Sequence, residues 1–172
     1  DISLAGGTGS GGLAPSSPLS SLPQLASDSS ARVKLYLDFN GNFQATWGSY
    51  HNVSTPVFDR DGDPSTFSTG EIDSIQEIWA RVAEDFAPFN INVTTDIRVY
   101  QAAPENSRQR CICTPTTTAA PGAGGVSYMN SWNWTGDTPN WSFYSTGKSA
   151  AEVISHECGH ALGLAHDGRT TP

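Results

Sequence analysis

"KSAAEVISHECGHALGLAHDG", residues 148–168, decides how the rest of the chain is read. Its first part reads as a helix, with Ser149 as cap and Glu152 three residues later completing a capping box. His156 and His160 lie four positions apart, so on a helix both rings stand on one face, close enough to share an ion. Neutral imidazole is the commonest side-chain metal ligand. Glu157 follows the first histidine, where its carboxylate reaches a metal-bound water rather than the metal. Gly163 can take positive φ at the least cost, so the chain can turn back there. His166 then meets the same ion from a third direction. Three protein ligands leave the fourth tetrahedral position to water, as catalytic zinc requires. The bland alternative is three solvated histidines. The chain has four histidines, and three of them fall at this spacing with glycine at the turn, which favours the ligand reading. His51, the fourth, reads as structural or exposed.

"HECGHALGLAHD" resembles the elongated zinc motif of the metzincin metalloproteases, and Asp167 resembles the reprolysin (adamalysin) and snapalysin types. "LYLDFNGN", "FDRDGDPSTFSTGEIDSIQEIWARVAEDFAPFNINVTTD" and "GAGGVSYMNSW" are similar to segments of secreted bacterial reprolysin-like proteases, so residues 32–168 are covered. The resemblance implies an α/β (α+β) fold with a twisted mixed sheet, two long helices and an active-site helix carrying HExxH. It implies that His156, His160 and His166 bind Zn2+. Glu157 would act as general base toward a zinc-activated water that hydrolyses a peptide bond. A protein or peptide substrate would lie extended along an edge strand, matched here by "GGVSYMN" with Gly125, Val126, Ser127 and Tyr128. Asp167 would support the fold by accepting hydrogen bonds.

The same resemblance implies a methionine turn beneath the metal, well after the third histidine. The one methionine, Met129, precedes the motif, and only "GRTTP" follows Asp167. A C-terminal subdomain with its Met-turn is therefore expected to be missing from this chain, with a further segment or a second chain completing the site. The alternative function is a zinc-binding, non-proteolytic metzincin module. A third reading, from another class, is a calcium-binding adhesion or carbohydrate-binding domain.

The chain has 172 residues, 9 of them basic and 17 acidic, for a net charge of -8. Such a balance argues against nucleic acid and anionic membrane as partners, and suits an extracellular, secreted location. No apolar run reaches the roughly 18 residues a membrane span needs. Residues 1–30 are rich in Gly, Ser and Pro and read as a flexible linker or pro-segment remnant, leaving 31–172 as the catalytic domain.

Within that domain Val33, Leu35 and Leu37 alternate as in a strand, and Asn40-Gly41 reads as a turn. Residues 48–69 read as loop. "STGEIDSIQEIWARVAEDFAPF" is a helix capped by Ser68 or Thr69, with Ile72, Ile75, Trp79, Val82 and Phe86 as its apolar stripe. "INVTTDIRVY" reads as a strand, residues 101–123 as irregular loop, and "GGVSYMN" as a short strand. Asp59, Asp61 and Asp63 alternate as in a calcium loop, but Pro64 and Gly70 stand where an EF-hand needs Gly and Glu, so only a looser Ca2+ site is a candidate. Cys158 points away from the ligand face, and its disulfide state with Cys111 or Cys113 is open. Trp132, Trp134 and Trp141 read as packing residues, with a carbohydrate or peptide surface as the alternative.

Overall fold

The computed structural model describes residues 16–166. The first fifteen residues of the expected linker, and Asp167, lie outside the described residues. Ser16–Pro18 form a short strand, β1, and Val33–Asp38 form β2. Asn42–Trp47 and Tyr50–Thr55 form a hairpin, β3 and β4, and Thr66–Ser68 form β5. The long helix α1, Thr69–Asp85, is followed by β6, Ile91–Thr94, and the short helix α2, Ile97–Ala102. β7 (Arg108–Cys113), β8 (Gly125–Val126) and β9 (Asn140–Ser142) precede the second long helix, α3, Gly147–Ala161.

The main sheet has the order β6-β2-β7-β9-β8. Its first four strands are parallel and β8 runs antiparallel to β9. The fold is thus mixed α/β with a mixed sheet and two long helices, as expected, plus the short α2. No described helix is long and apolar enough to cross a membrane.

Side-chain alternation sorts the core onto the two faces of the sheet. Leu35 and Leu37 of β2, Val93 of β6 and Cys111 and Cys113 of β7 share one cluster with Ile75, Ile78 and Val82 of α1 and Ala150, Ile154 and Cys158 of α3. The two long helices therefore lie together on that face. Ile112 and Trp141 belong to a second cluster with Trp47 and Phe143. The β3–β4 hairpin covers it: Trp47 Nε1 donates to Pro139 O at 2.8 Å, and Trp141 Nε1 to Thr55 Oγ1 at 3.0 Å. Beside it Arg110 joins Asp38 at 3.1 Å and Asp137 at 2.8 Å, and Tyr100 donates to Asp137.

Several local expectations are corrected. "INVTTDIRVY" is a strand only to Thr94, because Asp96 accepts from Arg98 N and starts α2. The expected loop 48–69 holds β4 and β5, and the expected loop 101–123 holds β7, which lies between β2 and β9 in the sheet. "GGVSYMN" contributes only Gly125 and Val126 to a strand. Residues 16–30, placed in the linker by composition, lie against the domain. Leu22 joins the core, β1 pairs with β5, and Ala26 bridges Thr94 on the outer side of β6. Of the two expected caps of α1, Ser68 is the one that forms, with Glu71 as its capping-box partner.

Candidate metal centre

α3 separates its residues by face. Ala150, Ala151, Ile154, Cys158 and Ala161 recur at three- and four-residue steps and face the core. That leaves His156 and His160 one turn apart on the outer side. The expected Ser149–Glu152 capping box is not what starts the helix. It begins at Gly147 with Thr146 as N-cap and no side-chain capping bond. A side chain on Gly147 would overlap the Glu77 carboxylate of α1, so an acidic group already stands at this helix start.

The other end of α3 brings in the third histidine. Gly163 takes φ +98°. Gly163 N donates to His160 O at 2.8 Å and Leu164 N donates to Gly159 O at 2.9 Å. This pair of bonds is a Schellman motif, which closes the helix on a left-handed residue. Asn130, itself at φ 61°, adds a third support: its N–H donates to His160 O at 3.0 Å. The turn sends the chain back so that His166 lies over the helix.

The three rings then converge. His166 Nε2 is 2.9 Å from His156 Nε2 and 3.2 Å from His160 Nε2. One ligand atom from each histidine lies within 4.8 Å of the others. Around a tetrahedral zinc with Zn–N near 2.0–2.1 Å, neighbouring nitrogens sit roughly 3.3 Å apart. His160 Nδ1 lies 2.7 Å from Leu164 O, so the Nδ1 proton is donated there and Nε2 keeps its lone pair. Burial, reinforced by charge on His160 and His166, holds the His156 ring below the usual histidine range and so favours its neutral, ligating form.

Glu157 is buried at 7% exposure beside the triad, of which His156 and His166 are exposed and His160 half-buried. Burial raises its pKa above the usual carboxylate range, with His160 pulling the other way. The edge strand lies directly against it: a Cβ on Gly125 would come within 2.7 Å of Glu157 Cγ. Val126 follows in the same strand, whereas Ser127 and Tyr128 lie outside it, and Tyr128 packs on Trp47 at 4.4 Å between ring centroids. Cys158 faces the core with Asn140 Nδ2 donating to its sulfur at 3.4 Å. Cys111, Cys113 and Cys158 are free and buried, and burial pushes the Cys111 and Cys158 thiols well up.

The acidic loop gathers differently from its spacing. Asp59 and Asp61 converge with Glu71, not with Asp63. Asp63 turns to Ser65 and Thr66, whose hydrogen bonds lower its pKa. Glu71 takes part while capping α1, accepting from Arg60 N at 2.6 Å and Ser68 N at 2.8 Å. Sequence reasoning missed Glu71 as a member; its place as the capping-box residue was the available signal. His51 lies exposed on the hairpin opposite Thr46. Trp132 and Trp141 are buried, and Trp134 is exposed.

In comparisons with known proteins the chain matches no family model, no curated protein and no solved structure.

Proposed function

We propose that this chain is a zinc-dependent endopeptidase domain of metzincin type, acting on protein or peptide substrates outside the cell. The observation that carries the reading is the convergence of His156, His160 and His166 on one point, with Glu157 buried beside them and an open strand edge above. Three neutral nitrogen donors of borderline softness suit zinc, and the donor set leaves a position free for water or substrate. Zinc bound there supplies a Lewis acid that polarises a carbonyl and makes water acidic.

The chain's own groups do the rest. Glu157 Oε accepts a proton from the attacking water and returns it to the nitrogen of the leaving amine. Burial raises the Glu157 pKa, and a carboxylate with a raised pKa is the stronger base toward that water. β8 is the end strand of the sheet, and among the described residues its outer side pairs with no other strand. An extended peptide added there would be fixed by main-chain hydrogen bonds, with its scissile bond carried past Glu157. The opposite edge, β6, is already covered by residues 25–27.

The experiment is cleavage of an unstructured protein such as casein by the zinc-loaded chain, beside Glu157→Ala. Cleavage by the parent and its loss in Glu157→Ala, with zinc retained in both, is the expected result. Zinc retained without cleavage in either would leave the non-proteolytic zinc module as the function.

A further inference from the structure

Next to Glu157 the surface opens into a cleft of about 400 Å³. One wall is the first half of α3, through Glu152 and Val153; the other is Gly124 and Gly125, with Tyr144 beside them. His156 and Glu157 also line it. The two glycines keep it open and close-fitting. A Cβ on Gly125 would approach Val153 Cγ1 to 2.7 Å, and one on Gly124 would approach Tyr144 Cε2 to 2.9 Å. Side chains at these two positions would press on Val153 and on the Tyr144 ring, so bare backbone lines this side of the cleft.

We propose that this cleft selects a lysine or arginine side chain next to the scissile bond, with Glu152 as the residue that sets the preference. The proposal rests on the endopeptidase reading. Val153 and the exposed ring of Tyr144 offer apolar surface to an aliphatic stem. The ring face also attracts a guanidinium or ammonium. Glu152 supplies the carboxylate. Its present partner is Lys148 at 3.5 Å, with the two side chains 63% and 73% exposed. Lysine here precedes glutamate by four, the weaker order on a helix, and an exposed bridge of this kind contributes little. Glu152 can exchange it for a substrate cation at small cost.

The neighbouring surface has the same sign. On the side of Glu152 toward α1 lie Glu84 and Asp85 with Arg81. Arg81 is already bridged to Glu77 at 2.8 Å. An acidic substrate side chain would meet Glu152 and Glu157, and the two cations that line the adjoining clefts, Arg81 and Lys148, are each already bridged to a glutamate.

The test is a peptide library with one varied position, cut by the zinc-loaded parent, Glu152→Gln and Glu152→Lys, with products mapped by mass spectrometry. The parent is expected to cut beside Lys or Arg over Asp or Glu by about tenfold, Glu152→Gln to flatten the preference and Glu152→Lys to reverse it. The same preference in all three proteins would overturn the role of Glu152 while leaving the endopeptidase standing. No cleavage by the parent defeats the endopeptidase reading instead, and calorimetric binding of the same peptides to the zinc-loaded chain then decides the cleft. Selectivity for basic peptides that is lost in Glu152→Lys upholds it; equal binding of basic and acidic peptides overturns it.

Discussion

His156 Nε2 and His166 Nε2 stand 2.9 Å apart, although the two residues are ten positions apart along the chain. Neutral rings meeting at a point set nitrogen lone pairs against one another, and one shared proton cannot satisfy three rings. A cation at the centre resolves the conflict. One zinc per chain is therefore expected, and His156→Ala, His160→Ala or His166→Ala is expected to weaken its binding by at least about 100-fold. His51→Ala, on the β3–β4 hairpin and outside the triad, should leave it unchanged. Chelator competition with metal analysis checks this; equal losses for His51 and the triad would contradict the site.

Zinc binding should also depend on pH in a definite direction. Burial and the two neighbouring rings depress His156 below its ordinary value of 6.5. A folded-state pKa below the unfolded one means that the unfolded chain takes up protons first as pH falls. The contribution to stability is present above 6.5 and is lost as pH drops through the folded value. Protons compete with zinc for the same nitrogens over that range. The rise in melting temperature on adding zinc is expected to be larger at about pH 7.5 than at about pH 5.5. An equal rise at both would mean that the metal binds elsewhere.

The turn at Gly163 ties the second and third ligands together. Its φ of +98° is strained for any residue with a side chain, and a Cβ there would overlap the Asn130 amide. Gly163→Ala is expected to cost about 1–2 kcal/mol of stability from the left-handed conformation alone. It should also weaken zinc binding, because the Schellman turn aims His166. Denaturant melts of the metal-free protein, paired with zinc competition, separate the two effects. Lower stability with unchanged zinc affinity would mean that His166 reaches the site by another route.

How much of this was legible in the sequence follows from the range of the forces involved. The helical spacing of His156 and His160, the glycine turn and the cap at Ser68 are local, and each appears in the structure as read. The placement of β7 is not local. "RQRCIC" shows no alternation because both of its faces are buried: Cys111 and Cys113 toward the helices, Ile112 toward the hairpin, and Arg110 into a polar cluster. Its partners Asp38 and Asp137 are 72 and 27 positions away, so no pattern within the segment announces them. Glu71 joined the acidic loop for the same reason, through tertiary proximity to Asp59 and Asp61. Ser149 is a sound local cap, yet α3 starts two residues earlier at Gly147, against Glu77 of another helix.

That polar cluster makes its own prediction. Arg110 is 13% exposed and bridges Asp38, which is 4% exposed, and Asp137. Removing one partner from a buried pair leaves an uncompensated charge, and Arg110→Met is expected to destabilise the fold by about 3–5 kcal/mol. The sign of the pH dependence identifies the orphan. Burial raises the Asp38 pKa above 3.8 even with Arg110 pulling it down, and loss of the guanidinium raises it further. A carboxyl with a folded pKa above its unfolded value contributes its stability below the unfolded pKa and loses it as pH rises through the folded one. The Arg110→Met deficit should accordingly be smaller at about pH 4 than at about pH 7. Urea unfolding at the two pH values measures it, and Asp38→Asn in the same background should erase the difference. A deficit that is the same at both values would assign the loss to packing over Tyr100, whose ring centroid lies 5.0 Å from the guanidinium, and not to the buried carboxylate.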